Sequence, residues 1–177
     1  MDTTLLAQLA ANGVSVGLGY ALAAVGLALV FGILERVNFA HGELYMVGAF
    51  LLFTFAKLAG MPYWAAAALT LAAMAAAGAL LAELAFITTL NRPFESVILA
   101  TFALSVVLQN GARLVFGASP RGIEVPLEAV TFEIGGVLLF GQRLLIAGAG
   151  LASFAALVAF LRLTETGRAM RAVAQNK

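Results

Sequence analysis

The chain has 177 residues, 63% of them hydrophobic and only 11% charged, with a formal net charge of +1 and no cysteine. Soluble domains carry about 25% charged residues, so this chain lacks the polar surface of a water-facing fold, and its mean hydropathy of +1.02 marks an integral membrane protein solvated by lipid. The missing cysteines exclude disulfides, thiolate metal sites and thiol nucleophiles, and the near-neutral charge offers no basic face to nucleic acid.

No Lys or Arg precedes Arg36, so the positive start of a cleaved signal peptide is missing. The first apolar run, residues 13–34, is expected to remain as a spanning helix, since roughly 20 apolar residues cross the hydrocarbon core. Gly13 and Gly17 form a small-residue pair one turn apart. In lipid the hydrophobic effect does not bring helices together, so such residues are read as packing surface rather than as a substrate site.

Residues 35–43 then crowd Glu35, Arg36, Asn38, His41 and Glu43 between two apolar segments. Spacing alone admits two readings. One is a cytoplasmic loop in which Asn38 caps the next helix and Glu43 faces the positive end of its dipole. The other is a broken helix dipping into the protein, because Val37, Phe39 and Ala40 are apolar. Broken backbone at membrane depth needs neighbouring protein or a water-filled cavity to satisfy it, and such breaks line substrate pathways. His41 has no company that makes a catalytic or metal site, and a buried, hydrogen-bonded histidine is expected.

Residues 42–59 are the second apolar run, interrupted by Glu43 and Lys57. Residues 62–90 are the third, rich in alanine, with Glu83 as the single charge and Arg92 as its expected ion-pair partner near the inner interface. The fourth, 97–116, carries Gln109, Asn110 and Arg113 in its last turns. The polar connection 117–143 holds Pro120, Pro126, Glu124, Glu128 and Glu133, and "VTFEIGGVLLFGQ" alternates around Gly135-Gly136 as a hairpin does. Residues 144–161 are the fifth run. In the closing "RLTETGRAMRAVAQNK", Thr164 or Thr166 can cap a helix on which Arg168 and Arg171 share a face, while Met170, Val173 and Ala174 make a small apolar side. Such a helix could lie on the membrane surface or dock into a cytoplasmic partner.

Arg162, Arg168, Arg171 and Lys177 place this last segment in the cytoplasm. Counting back through five spans puts Arg36 and Arg92 inside, and the 117–143 connection and the N-terminus outside; Arg121, Arg143 and Lys57 run against the rule. The expectation is an all-α, polytopic transmembrane helical bundle of about five spans, with a cytoplasmic coupling helix and a short external hairpin. Residues 1–177 are read as a single membrane permease domain. With no glycine or proline to stop "TGRAMRAVAQNK", the chain is expected to be truncated and the native frame to continue past Lys177.

"GLGYALAAVGLALVFGILERVNFAHGELYMVGAF" resembles the first two spans of the LivH-type permeases, the membrane subunits of ATP-binding-cassette importers for branched-chain amino acids, and "VNFAHGE" is specific to that family. "NRPFESVILATFALSVVLQNGARLVFG" is similar to the family's Arg-Pro turn and the span after it, and "TETGRAMRAVAQN" to its coupling segment. Thr101, Phe102 and Ala103 stand where the family usually has Thr-Ile-Gly. The resemblance covers essentially the whole chain and corresponds to the N-terminal portion of the family's length.

The resemblance implies a multi-pass permease subunit in the bacterial cytoplasmic (inner) membrane, carrying branched-chain or related amino acids. It implies a second permease subunit, two cytoplasmic ATPase subunits and a periplasmic amino-acid-binding protein as partners. The subunit itself would be no enzyme and would hold no cofactor or metal. Carried over by residue, Asn38, Phe39, Ala40, His41, Gly42 and Glu43 form a broken-helix element near the translocation path. Thr166, Gly167, Arg168, Ala169, Met170, Arg171 and Ala172 form the ATPase-coupling knob. The chain has no phosphate-binding loop, so ATP would bind elsewhere. Two alternatives stand beside this reading: a secondary carrier or channel using Glu43, His41 and Glu83 as a proton relay, which has no need of the coupling segment, and an inactive membrane fragment.

Overall fold

The computed structural model of the chain describes residues 3–89, 92–127 and 129–175. Long apolar runs become helices because in lipid every backbone N–H and C=O must be satisfied within its own segment. The helices are α1 (Thr3–Leu34), α2 (His41–Phe53), α3 (Tyr63–Leu81), α4 (Phe94–Phe116), α5 (Gly141–Leu163) and α6 (Glu165–Gln175), with one hairpin of β1 (Thr131–Ile134) and β2 (Val137–Phe140). The protein is an all-α polytopic membrane protein. Thr4–Ile33, Tyr63–Leu84, Phe94–Phe116 and Gly141–Leu163 are each long and apolar enough to cross a bilayer.

The second expected span differs from these four. Helix α2 has 13 residues and continues as a π-helical turn of 5, Thr54–Leu58. Together they rise about 27 Å at 1.5 Å per residue, just short of a hydrocarbon core of ~30 Å. The other expected runs also shift at their ends: α1 starts at Thr3 rather than residue 13, and α3 gives way to the turns Ala82–Phe86 and Ile87–Thr89.

The elements fall into two compact units. One joins α1 to the hairpin, α5 and α6; the other is Glu35–Ile123. In the first unit α1 and α5 run side by side in the same direction. Near their starts the Gln8 amide donates to the Leu138 carbonyl at 2.8 Å and accepts from the Leu138 N–H at 2.7 Å, while Arg143 donates to Asn12. Further along, Gly150 lies against Leu18, 3.9 Å from where a Cβ would be. The hairpin pairs Ile134 with Val137 across Gly135 and Gly136. Both glycines have positive φ, 60° and 80°, the left-handed pair that a two-residue turn matched to strand twist requires. Gly13 and Gly17 pack differently from expectation: a Cβ on either meets nothing within 4 Å, so no close helix contact forms at these two among the described residues.

Helix α6 is fixed to the end of α5. Thr164 leaves the helix with extended backbone; its hydroxyl donates to the Phe160 carbonyl at 2.7 Å and accepts from the Gly167 N–H at 3.0 Å, capping α6. Gly167 is buried, and a Cβ there would overlap the Phe160 carbonyl oxygen and lie 2.6 Å from Leu161 Cα. Met170 and Ala174 share this inward face, half-buried, whereas Val173 is 57% exposed and leaves the expected apolar side. Arg168 and Arg171 are exposed, and Arg168 also donates to the Leu163 carbonyl at 3.2 Å.

In the second unit α2 packs on α3 and α4, with Gly48 against Met74, whose Cγ is 3.7 Å from a Cβ at Gly48. Pro62 and Pro93 precede α3 and α4 with extended backbone and mark their starts, having no N–H to leave unsatisfied. Glu83 lies exposed on the π-helical turn after α3, and among the described residues no ion pair joins it to Arg92.

Because the α5–α6 elbow has no room for a methyl group, Gly167→Ala should destabilise the protein by about 1–3 kcal/mol, the usual cost of overpacking. Ala169→Gly, at an exposed position of the same helix, should cost no more than about 1 kcal/mol. Thermal unfolding in detergent, followed by circular dichroism, ranks the two; equal melting temperatures would remove the steric account.

Candidate functional site

The chain leaves helical backbone at Glu35, whose φ of 52° is left-handed, and does not resume a helix until His41. Several backbone groups of the break have specific partners. The Asn38 side-chain oxygen accepts from the Ala40 N–H at 3.0 Å, and the Asn38 carbonyl accepts from the His41 N–H at 3.2 Å. The Ala40 carbonyl accepts from the Leu44 N–H at 3.0 Å, opening α2. The Phe39 N–H crosses to α4 and donates to the Thr101 hydroxyl at 3.2 Å, which itself donates to the Val97 carbonyl at 2.9 Å.

Asn38 is therefore not the helix cap of the loop reading. Ala40 occupies that position and makes no side-chain cap, while Asn38 folds its amide over the following turn. Asn38 is 5% exposed, and Ala40 and Thr101 are fully buried. Phe39 is 47% exposed, His41 half-buried and Gly42 exposed. Arg36, at the start of the break, sets its guanidinium 5.8 Å over the Phe94 ring.

The partner helix fixes the depth of the break. Thr101 lies seven residues into α4, about 10 Å along its axis, and Ser105 is the middle residue of Phe94–Phe116. The broken segment is thus seated well inside the length of a membrane-spanning helix. A second tie lies deeper: the Gln109 amide donates to Glu43 Oε1 at 2.6 Å and to Ser105 Oγ at 3.4 Å. Thr101, Ser105 and Gln109 fall at successive fourth positions, one stripe on α4. Beyond them Phe50 stacks on Phe116 with centroids 4.2 Å apart, and Phe53 meets the same ring edge-on at 6.4 Å. Helices α2 and α4 therefore run in the same direction, joined by hydrogen bonds at one end and aromatic contact at the other.

Between them opens a groove of about 780 Å³, walled by Glu43, Met46, Phe50 and Phe53 of the α2 segment and by Gln109 and Arg113 of α4, with Arg121 at its edge. Among the described residues no three His, Asp or Glu side chains gather to hold a metal ion. Of the six residues Asn38 to Glu43, Phe39 and Glu43 are tied to α4, Asn38, Ala40 and His41 are joined within the turn, and Gly42 lines the groove. The second predicted group, Thr166 to Ala172, lies on α6 in the other unit. Ser105 was missed from sequence, as were the roles of Thr101 and Gln109 as partners of the break. The available signal was polar residues at every fourth position of an otherwise apolar run.

Residues 9–177 match the family of branched-chain amino acid transport system permease components. The chain is 31% identical to the high-affinity branched-chain amino acid transport system permease protein BraD of Pseudomonas aeruginosa, over 93% of this chain and 58% of that protein. It is 30% identical, with the same coverage, to the corresponding permease protein LivH of Salmonella typhimurium and of Escherichia coli. It thus spans 58% of the length of these relatives. No solved structure matches the chain.

Thr101→Val keeps the shape of the side chain and removes the acceptor for Phe39. Leaving that N–H unsatisfied should cost about 1–3 kcal/mol and speed exchange of the Phe39 amide, while Thr101→Ser should preserve its protection. Hydrogen–deuterium exchange in nanodiscs reads both; unchanged protection in the valine variant would mean that another group satisfies the break.

Proposed function

This chain belongs to the family of branched-chain amino acid transport permease components, and on that premise we propose that it forms part of the membrane-embedded path of an ATP-binding-cassette importer for branched-chain or related amino acids. The observation that carries this reading is the break at residues 35–40, anchored to the interior of spanning helix α4 through Thr101. Irregular backbone at membrane depth persists only where protein buries it or where it borders a water-filled cavity. Here protein buries it at Asn38 and Ala40, and the groove opens just after it, at Gly42 and Glu43 in the first turn of α2.

The course of the chain supports five crossings. Helices α1 and α5 run the same way, so an odd number of crossings must lie between them. Helices α3 and α4 supply two, and the broken segment with α2 and its π-helical turn supplies the third. With basic residues at the far end, this course supports α6 on the cytoplasmic face of a bacterial inner membrane and the hairpin on the other face, and we read residues 1–177 as one membrane permease domain.

Helix α6 is suited to coupling. Its inward face is seated on α5 through Gly167, and Arg168 and Arg171 point outward. We assign Thr166 to Ala172 as the docking knob for cytoplasmic ATPase subunits, two per transporter. A second permease subunit completes the membrane path and a periplasmic binding protein supplies the amino acid. The chain has no phosphate-binding loop of its own.

In the complete transporter, Arg168→Glu combined with Arg171→Glu should leave membrane insertion intact, release the ATPase subunits on purification and reduce uptake of radiolabelled leucine to background. Uptake at the unmodified level by this double variant would remove the docking role. Uptake that survives ATP depletion and collapses with a protonophore would favour a secondary carrier instead.

A further inference from the structure

The groove between α2 and α4 has a charge pattern that a simple passage for apolar solutes would not need. A free amino acid with an aliphatic side chain presents three chemistries: an ammonium group, a carboxylate and an apolar chain. Moving it through a low-dielectric environment is costly unless both charges meet partners. The groove carries a matching set. Glu43 supplies the carboxylate, held by Gln109 at 2.6 Å. Arg113 lies one turn beyond Gln109 on α4, about 6 Å of helix rise, and lines the same groove. Met46, Phe50 and Phe53 supply apolar surface on the α2 side, and Ala112 leaves space opposite.

Arg121 stands at the edge of the groove. It donates to the Phe116 carbonyl at 2.7 Å and sets its guanidinium 6.0 Å over the Phe53 ring, so a second cation is fixed against the apolar wall. Two arginines and one glutamate give the groove a net charge of +1, favouring a carboxylate-bearing solute over a bare cation. Arg121 also departs from the positive-inside expectation, and a role in the groove gives it a reason to stand on the outer side.

We propose that this groove is a transit site for zwitterionic aliphatic amino acids, with Glu43 receiving the ammonium group, Arg113 and Arg121 the carboxylate, and Met46, Phe50 and Phe53 the side chain. The assignment rests on the transport reading above and locates the substrate within it. Gln109 is a positioning residue, holding the Glu43 carboxylate toward the groove.

The test uses the complete transporter in proteoliposomes and a diazirine analogue of leucine as photolabel. Labelling should fall on residues 42–53 and 109–121, and should be competed by leucine but not by isoamylamine, which lacks the carboxylate, or by 4-methylpentanoate, which lacks the ammonium group. Glu43→Gln and Arg113→Gln should each lower leucine uptake by about tenfold to a hundredfold, as loss of a charged hydrogen-bond partner predicts. Glu43→Gln preserves the size of the side chain and its capacity to bond Gln109, so correct insertion is the expected background for this loss.

If the transporter carries leucine but the label falls only outside these two segments, or both variants transport normally, the site is overturned and the transport reading stands. If the unmodified assembly takes up no leucine, the transport reading fails and the site fails with it.

Discussion

A backbone N–H without a partner is costly anywhere in a protein and prohibitive in hydrocarbon. The Phe39–Thr101 hydrogen bond answers that constraint. Residues 35–40 leave helical geometry beside the interior of α4, and the exposed amide is received by a hydroxyl already anchored to its own helix. Once that point is fixed, Glu43 falls opposite Gln109, Phe50 falls opposite Phe116, and the groove between the helices follows. Residues on either side could not hold this register alone, because their side chains are mostly apolar and apolar contact tolerates sliding.

The two ends of the α2–α4 pair use different physics for different purposes. At the Thr101–Gln109 end, hydrogen bonds fix direction and register. At the Phe50–Phe116 end, aromatic stacking gives adhesion that survives small changes of angle. A pair of helices fixed at one end and adhesive at the other can change the width of the space between them without breaking buried hydrogen bonds. The wall of the groove is accordingly lined with Met46, Phe50 and Phe53, side chains whose contacts adapt.

Much of this was legible in the residues. Long apolar runs without internal proline specified helices, Gly135-Gly136 between alternating strands specified the hairpin, and the polar cluster at 35–43 specified an unusual junction. The resemblance carried by "VNFAHGE" pointed to the family that the comparisons support. Other features were hidden for identifiable reasons. The start of α1 was placed ten residues late because Gln8 and Asn12 look like surface residues until the hairpin and Arg143 are seen to receive them. Asn38 could be a cap or the fold of a turn, and only the position of Ala40 separates the two. Ser105 and Gln109 are single polar residues in a greasy run, and what they bond is decided by a helix far away in sequence. Val173 was assigned to the inward side of α6 by periodicity, but the tight seat at Gly167 turns that side toward Met170 and Ala174.

The elbow at Gly167 has a geometric consequence. With no free volume between α6 and the last turn of α5, bending at Thr164 has no local outlet, so the two helices behave as one crooked rod. The long arm, α5, has 23 residues and extends about 34 Å. A swivel of some 5° at its foot would therefore carry the Gly141 tip through about 3 Å. That excursion is as long as a hydrogen bond, and its first casualty would be the link from Arg143 to Asn12, at the far end of α5.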